Sequence, residues 1–206
     1  FKAQINASEP LKKQLWQQTI KAKITNQAAV LELSNKEGTE ALQYLSKQVL
    51  SGDTTNQEAQ AARRYWSKLF DENFTRERYG IEPNPALNYG YAILRAATAR
   101  ALSGSGLLPT LGIHHRNKYN SYCLADDIME PYRPFVDVLV VEMQAQGLNC
   151  GELGKQEKAH LLQLLTQDVK MNGKKSPLMV ALSNTSASLS RCFEGKGKKI
   201  SYPELI

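Results

Sequence analysis

Residues 123–134, CLADDIMEPYRP, set three carboxylates among residues that would otherwise suit a buried helix. Asp127 and Glu130 stand three apart, so on a helix they share one face and repel unless a metal ion, an arginine or water lies between them. Their neighbours Leu124, Ala125, Ile128 and Met129 are not those of a solvated face, which favours a site over plain surface. Glu58, in NQEAQAARRYW, lies near the small-residue side of its helix with Ala61, Ala62 and Tyr65, but it also has the spacing to close a capping box with Thr55. His114 and His115 follow Gly112 in a loop, where a histidine is usually only solvated. Taken together, two or three carboxylates and one imidazole from separate segments form an oxygen-rich set that suits Mg²⁺ or Mn²⁺, with the imidazole tilting the preference toward Mn²⁺. Such an ion would neutralise Asp127 and Glu130, polarise a phosphodiester and activate a hydroxyl. Arg63, Arg64, Arg76, Arg78, Arg95, Arg100, Arg116, Lys118 and Arg133 could then hold a DNA backbone, or simply pair with acids on the surface.

The elements that would carry these groups are helical. Ser8 and Pro10 open a helix whose apolar positions 11, 15, 16, 20 and 24 have the helical period, ending near Ile24. Further helical patterns cover about 26–34 and 37–50, the latter closed by Ser51-Gly52, and a fourth begins around Thr55. Residues 71–85, with prolines at 83 and 85, read as a loop before a long apolar helix that stops at SGSG. Residues 103–122 are loop or broken turn. The helix that follows should kink or restart at Pro131 and Pro134, since each removes a backbone donor and clashes with the preceding turn. LGKQEKAHLLQLLTQ is helical, residues 169–177 could form a small hairpin at Asn172-Gly173, and a last helix precedes a basic tail, 195–206, expected to be mobile. With no linker and no repeat, one all-α multi-helix domain over 1–206 is expected.

The bulk numbers agree with that class. The 206 residues are 42% hydrophobic and 22% charged, and 26 Lys+Arg against 20 Asp+Glu give +6, a balance that favours anionic partners. No apolar run is long enough to span a bilayer and no signal peptide opens the chain, so a cytosolic location and no membrane partner are expected. Cys123, Cys150 and Cys192 are too scattered for a disulfide framework or a structural zinc site and should be reduced.

NQEAQAARRYW, PALNYGYAILRAATARAL and LGIHHRNKYNSYCLADDIMEPYRPFVD, at this spacing, resemble the catalytic helical domain of the CRISPR-associated spacer-acquisition integrase, the first of the numbered Cas proteins. The resemblance runs from about residue 8 to 200, and the paired histidines with DDIMEPYRP look most like the type II branch. It implies a prokaryotic, metal-dependent DNA integrase and endonuclease in which Glu58, His115 and Glu130 bind the metal and act in catalysis, with Asp127 as a companion acid or ligand. It further implies attack of a 3′ hydroxyl of captured DNA on a phosphodiester of the CRISPR repeat. The small second numbered Cas protein would be the partner, the full-length protein would be a homodimer, and Arg63, Arg64, Arg76, Arg116 and Lys118 would be candidates for DNA contacts. Members carry an amino-terminal β-rich domain, of which this chain shows nothing, so the chain reads as the carboxy-terminal domain of a longer protein.

Two other readings compete on the residues themselves: a non-catalytic helical DNA-holding module, which predicts metal-independent and strongly salt-dependent binding, and a scaffold whose basic surface meets an acidic partner chain.

Overall fold

The computed structural model describes residues 1–205. Ser8 caps the first long helix by accepting from the Leu11 amide, and Pro10 sits in its first turn, where no amide partner is needed. A short α1 (Lys2–Ile5) precedes this α2 (Glu9–Leu33), which runs unbroken through residue 25 rather than as two helices. The polar TNQ stretch reads as a break in the sequence, yet Asn26 and Gln27 are buried. Asn26 Nδ2 donates to the carbonyls of Pro131 and Pro203, at 2.8 and 3.0 Å, so the amide is a tie between elements and not a helix stop.

The order continues with α3 (Thr39–Gln48), a 3-10 turn (Ser51–Asp53), α4 (Gln57–Leu69), α5 (Asn84–Gly104), α6 (Cys123–Met129), a 3-10 turn (Glu130–Tyr132), α7 (Arg133–Ala145) and α8 (Lys155–Leu162). The hairpin is present as β1 (Asp168–Met171) and β2 (Lys174–Pro177), antiparallel with Met171 opposite Lys174 around Asn172-Gly173, and α9 (Leu178–Phe193) closes the helical set. The fold is all-α apart from this hairpin. Pro131 and Pro134 act as expected: α6 gives way to one 3-10 turn and restarts as α7, which re-aims Glu130 at the junction.

Two apolar clusters hold the helices. Leu15, Ile20, Ile24 and Leu31 of α2 pack with Leu42 of α3, Ala61 and Tyr65 of α4, and Leu124 and Ile128 of α6. Leu87, Tyr91 and Leu94 of α5 pack with Phe135, Val136 and Val140 of α7, Leu161 of α8, Val169 of β1 and Leu182 of α9. Each fully buried Leu, Ile or Val contributes about 1.5–3 kcal/mol by leaving water. Trp66 of α4 and Phe70 just beyond its end touch both clusters and join them. Helices α5 and α7 approach so closely that a Cβ on Gly90 would lie 2.3 Å from Val136 Cγ1, so only glycine fits there. The three cysteines are buried and free.

The tail expected to be mobile is instead docked as far as Leu205. Ile200 N donates to Gln18 Oε1, Ser201 N to Ser188 Oγ, and the Tyr202 and Thr19 hydroxyls meet at 2.8 Å. Glu204 pairs with Lys170 of β1 as a short antiparallel bridge. Ile200 is buried, and Tyr202 and Leu205 pack against the core, so these apolar groups outweigh the basic residues that suggested a solvated end. Among the described residues no helix is long and apolar enough to cross a membrane.

Candidate active site

Glu58 owes its freedom to a cap supplied by another residue. The capping box with Thr55 does not form: Asp53 accepts from the amides of Gln57 and Glu58, at 2.8 and 3.0 Å, and so covers the start of α4 in its place. Thr55 Oγ1 instead accepts from the Gln57 side chain. Relieved of capping, the Glu58 carboxylate reaches across to α2.

What it meets there is a lysine. Lys23 Nζ lies 2.6 Å from Glu58 Oε1 and 2.6 Å from Glu130 Oε2, so one ammonium joins acids from α4 and from the α6–α7 junction. The contact to Glu58 is a regular hydrogen bond. Glu130 Oε2 is held as an ion pair only and has no hydrogen bond of good geometry. Arg133 Nε sits 3.0 Å from the other Glu130 oxygen. Burial alone would raise the Glu130 pKa, but Arg133 and Lys23 beside it outweigh this and hold its carboxyl below the usual value. Burial likewise works against the Lys23 charge, and Glu130 and Glu58 reverse the effect, leaving its pKa raised. The quartet is formally neutral, two acids against two bases, which lets Lys23 and Glu130 stay buried while Glu58 and Arg133 remain partly exposed.

Asp127, one turn before Glu130, has a different task. It is fully buried, and its Oδ2 accepts from the amides of Ile113 and His114 while Oδ1 accepts from the amide of His115. Oδ1 also stands 2.5 Å from His115 Nδ1. Four acceptor positions are thus filled, about all that a carboxylate offers. Gly112 makes room for this nest, because a Cβ there would lie 2.3 Å from the His115 carbonyl and 2.8 Å from Asp127 Oδ2. His115 is half exposed, and Asp127 orients it: the hydrogen bond at Nδ1 leaves Nε2 as the free ring nitrogen. That bond is also the main reason its pKa is raised. His114 stacks flat on Trp16 of α2, rings 4.1 Å apart and parallel to 1°, while His115 meets the same indole edge-on; the His114 pKa is lowered chiefly by burial.

The structure therefore brings Glu58 and Glu130 together on one cation, and ties His115 to Asp127 one helical turn away. Among the described residues no three His, Cys, Asp or Glu side chains converge as a ready metal cage. The third acid of CLADDIMEPYRP is elsewhere: Asp126 faces α5, 3.2 Å from Arg95. Of the basic candidates, Arg76 is committed to Asn84, Asn88 and the Glu77 carbonyl and latches the 71–85 loop to α5, while Arg116 pairs with Glu9. Arg63 and Arg64 lie exposed on α4, and Lys118 lies over the Tyr119 ring. A groove of about 450 Å³ beside Arg133 is lined by Arg76, Arg78 and Arg95 as well. His115 opens on a second groove, of about 630 Å³, shared with Arg116 and Lys118.

This geometry can be set beside known proteins. The family model described as "CRISPR associated protein Cas1" matches residues 2–164. The chain belongs to the Cas1 family. It is 42% identical over its whole length to a CRISPR-associated endonuclease Cas1 of Neisseria meningitidis, covering 68% of that protein, and 30% identical over 86% of its length to one from Francisella tularensis subsp. novicida, covering 64% of that one. In fold it is similar to a casposase bound to integration product, with a TM-score of 0.78, 22% identity and coverage of 96% of this chain and 69% of that one. A partial Cas6-RT-Cas1–Cas2 complex gives a TM-score of 0.80 at 20% identity, covering 99% of this chain and 73% of that one. The chain thus spans about two thirds of each of these two Cas1 relatives.

The donor types present fit a divalent cation. Two carboxylate oxygens from separate helices already point at one positive centre, and a loop imidazole with Nε2 free is held by the acid one turn before Glu130, oxygen and nitrogen donor types suited to Mg²⁺ or Mn²⁺. Lys23 went unread in the sequence although its signal was there. It occupies a helical position between Trp16, Ile20 and Gln27 on a stripe that is otherwise buried, and a lysine on such a stripe requires acidic partners.

Proposed function

We propose that this chain is the catalytic module of a divalent-metal-dependent DNA integrase and endonuclease of CRISPR adaptation, which joins a 3′ hydroxyl of captured DNA to a phosphodiester of the CRISPR repeat. The observation that carries this reading is the convergence of Glu58 and Glu130 on a single cation, with His115 oriented by Asp127, the acid one turn before Glu130. Mg²⁺ or Mn²⁺ bound by Glu58, Glu130 and His115 would supply Lewis-acid stabilisation of charge on the attacked phosphate and activation of the attacking hydroxyl.

The rest is done by the chain itself. Asp127 fixes the tautomer and direction of His115 and acts through it as a positioning residue. Arg133, anchored on Glu130, presents a guanidinium at the edge of the arginine-lined groove, where a phosphate could dock. Arg116 and Lys118 line the groove on the His115 side and give a second backbone contact, while Arg63 and Arg64 add positive charge along α4. Arg76 contributes charge to the first groove from a side chain already fixed by Asn84 and Asn88. The names of similar proteins, a casposase bound to integration product and a Cas6-RT-Cas1–Cas2 complex, support DNA and the small second Cas protein as partners.

The test is strand transfer and branched-DNA cleavage by the full-length protein with its partner, in Mg²⁺ or Mn²⁺, against Glu58→Ala, His115→Ala and Glu130→Ala. Loss of both reactions in all three variants, with folding retained, supports the assignment. Activity that survives Glu58→Ala and His115→Ala would sink it.

A further inference from the structure

Resting on the metal-dependent reading above, we infer that Lys23 is a resident cation of the metal-free site: its ammonium holds Glu58 and Glu130 together until a divalent ion displaces it.

The distances leave little alternative to exchange. An ion bound to both acids would sit about 2.0–2.2 Å from each oxygen, close to where Nζ now lies 2.6 Å from the same two oxygens. The ammonium and the ion cannot share that place, both for space and for like charge. Lysine suits the role because its charge rides on a flexible four-carbon stem, whereas the Arg133 fork on the opposite Glu130 oxygen can stay. Lys23 remains charged throughout, so the exchange is of one cation for another and not a titration.

Two consequences follow for the site. Without an ion, two acids from α4 and the α6–α7 junction would repel, and the ammonium keeps the gap between α2, α4 and that junction closed. With an ion in its place, the local formal charge rises from zero to +1, Arg133 included, which prepares the site for a phosphate only once the ion has arrived.

The test uses the intact protein and Mn²⁺ as the probe. Calorimetric titration of the parent and of Lys23→Met should show Mn²⁺ binding the variant roughly tenfold tighter or more, because no resident charge has to leave and two unpaired acids gain a partner. In chelator the variant should melt below the parent, and Mn²⁺ should raise its melting temperature by more. Equal or weaker binding by Lys23→Met, with the parent binding normally, overturns this inference and leaves the metal reading intact. Absence of binding by both proteins overturns both.

A measurement on the unsubstituted protein covers the case in which Lys23→Met does not fold. Acylation of Lys23 by an amine reagent, read by peptide mass spectrometry with exposed Lys13 as internal reference, should rise several-fold when Mg²⁺ replaces chelator. Unchanged labelling would mean that the ammonium never leaves, and the inference fails.

Discussion

The Asp127 carboxylate and the His115 ring are 2.5 Å apart, and the same carboxylate also accepts the backbone amides of Ile113, His114 and His115. One buried acid thus sets both the path of the histidine loop and the direction of its ring. Asp127→Ala strips partners from three amides and from the imidazole, and is expected to cost about 3–5 kcal/mol of stability. Urea denaturation checks this. If stability stayed within about 0.5 kcal/mol while Mn²⁺ affinity collapsed, Asp127 would be a ligand and not an anchor.

The neighbouring histidines should titrate on opposite sides of the ordinary value of 6.5 in the metal-free protein, His115 above it and His114 below it. For His115 the protonated ring gains Asp127 on folding. Its contribution to stability is therefore complete below the unfolded pKa and lost as pH rises through the raised folded value. His114 has the reverse sign, since burial against Trp16 penalises its charged form. Long-range ¹H–¹⁵N spectra across pH 5–8 resolve the two rings, and coincident midpoints would refute the assignment.

Asp137 provides a stability prediction remote from the acids on Lys23. It is buried in α7, accepts from the Tyr65 hydroxyl at 2.7 Å and the Tyr91 hydroxyl at 2.5 Å, and burial pushes its pKa up to about 6 despite those bonds. A carboxyl with a raised folded pKa binds its proton more tightly when folded, so stability falls as pH rises from the unfolded value to about 6 and is level beyond it. Against Asp137→Asn, which cannot titrate, the parent should lose about 2 kcal/mol between pH 4 and pH 7. A difference between the two proteins that does not vary with pH would exclude this.

Gly90 and Val136 should behave as a coupled pair. Gly90→Ala drives a methyl into Val136 Cγ1 and should cost about 1–3 kcal/mol, less a few tenths regained from helix propensity. Val136→Ala alone leaves a void. Together the substitutions should be less destabilising than their sum by about 1 kcal/mol, since each relieves the other. Strict additivity in denaturant melts would mean that the helices simply move apart.

The features written in local pattern were legible in the sequence: the long α5, the restart at Pro131 and Pro134, the Asn172-Gly173 hairpin, and the motifs of the Cas1 family. The question raised by CLADDIMEPYRP has three answers, however, one per acid: Arg95 for Asp126, backbone amides and an imidazole for Asp127, and Lys23 with Arg133 for Glu130. Those partners lie up to 107 residues away, and periodicity carries no information about which distant charge will arrive. The docked tail escaped notice for a similar reason. Its fit depends chiefly on Thr19 and Asn26 of α2, at the far end of the sequence, with Ser188 of the neighbouring α9. Asp53 lies outside the local capping-box spacing, and the turn at 51–53 is what brings it to the start of α4.

The parallel contact between Trp16 and His114 gives the site an optical signal of its own. An indole in van der Waals contact with an imidazole loses emission when that ring gains a proton, so Trp16 reports electronically on the loop that carries His115. Trp66, the other indole, is surrounded by Tyr65, Phe70 and Phe74 and has no such neighbour. In a Trp66→Phe background the remaining fluorescence becomes a single-channel readout of the histidine loop. Its brightness and lifetime would follow loop position and charge in real time as cations and DNA are added, with no dye attached.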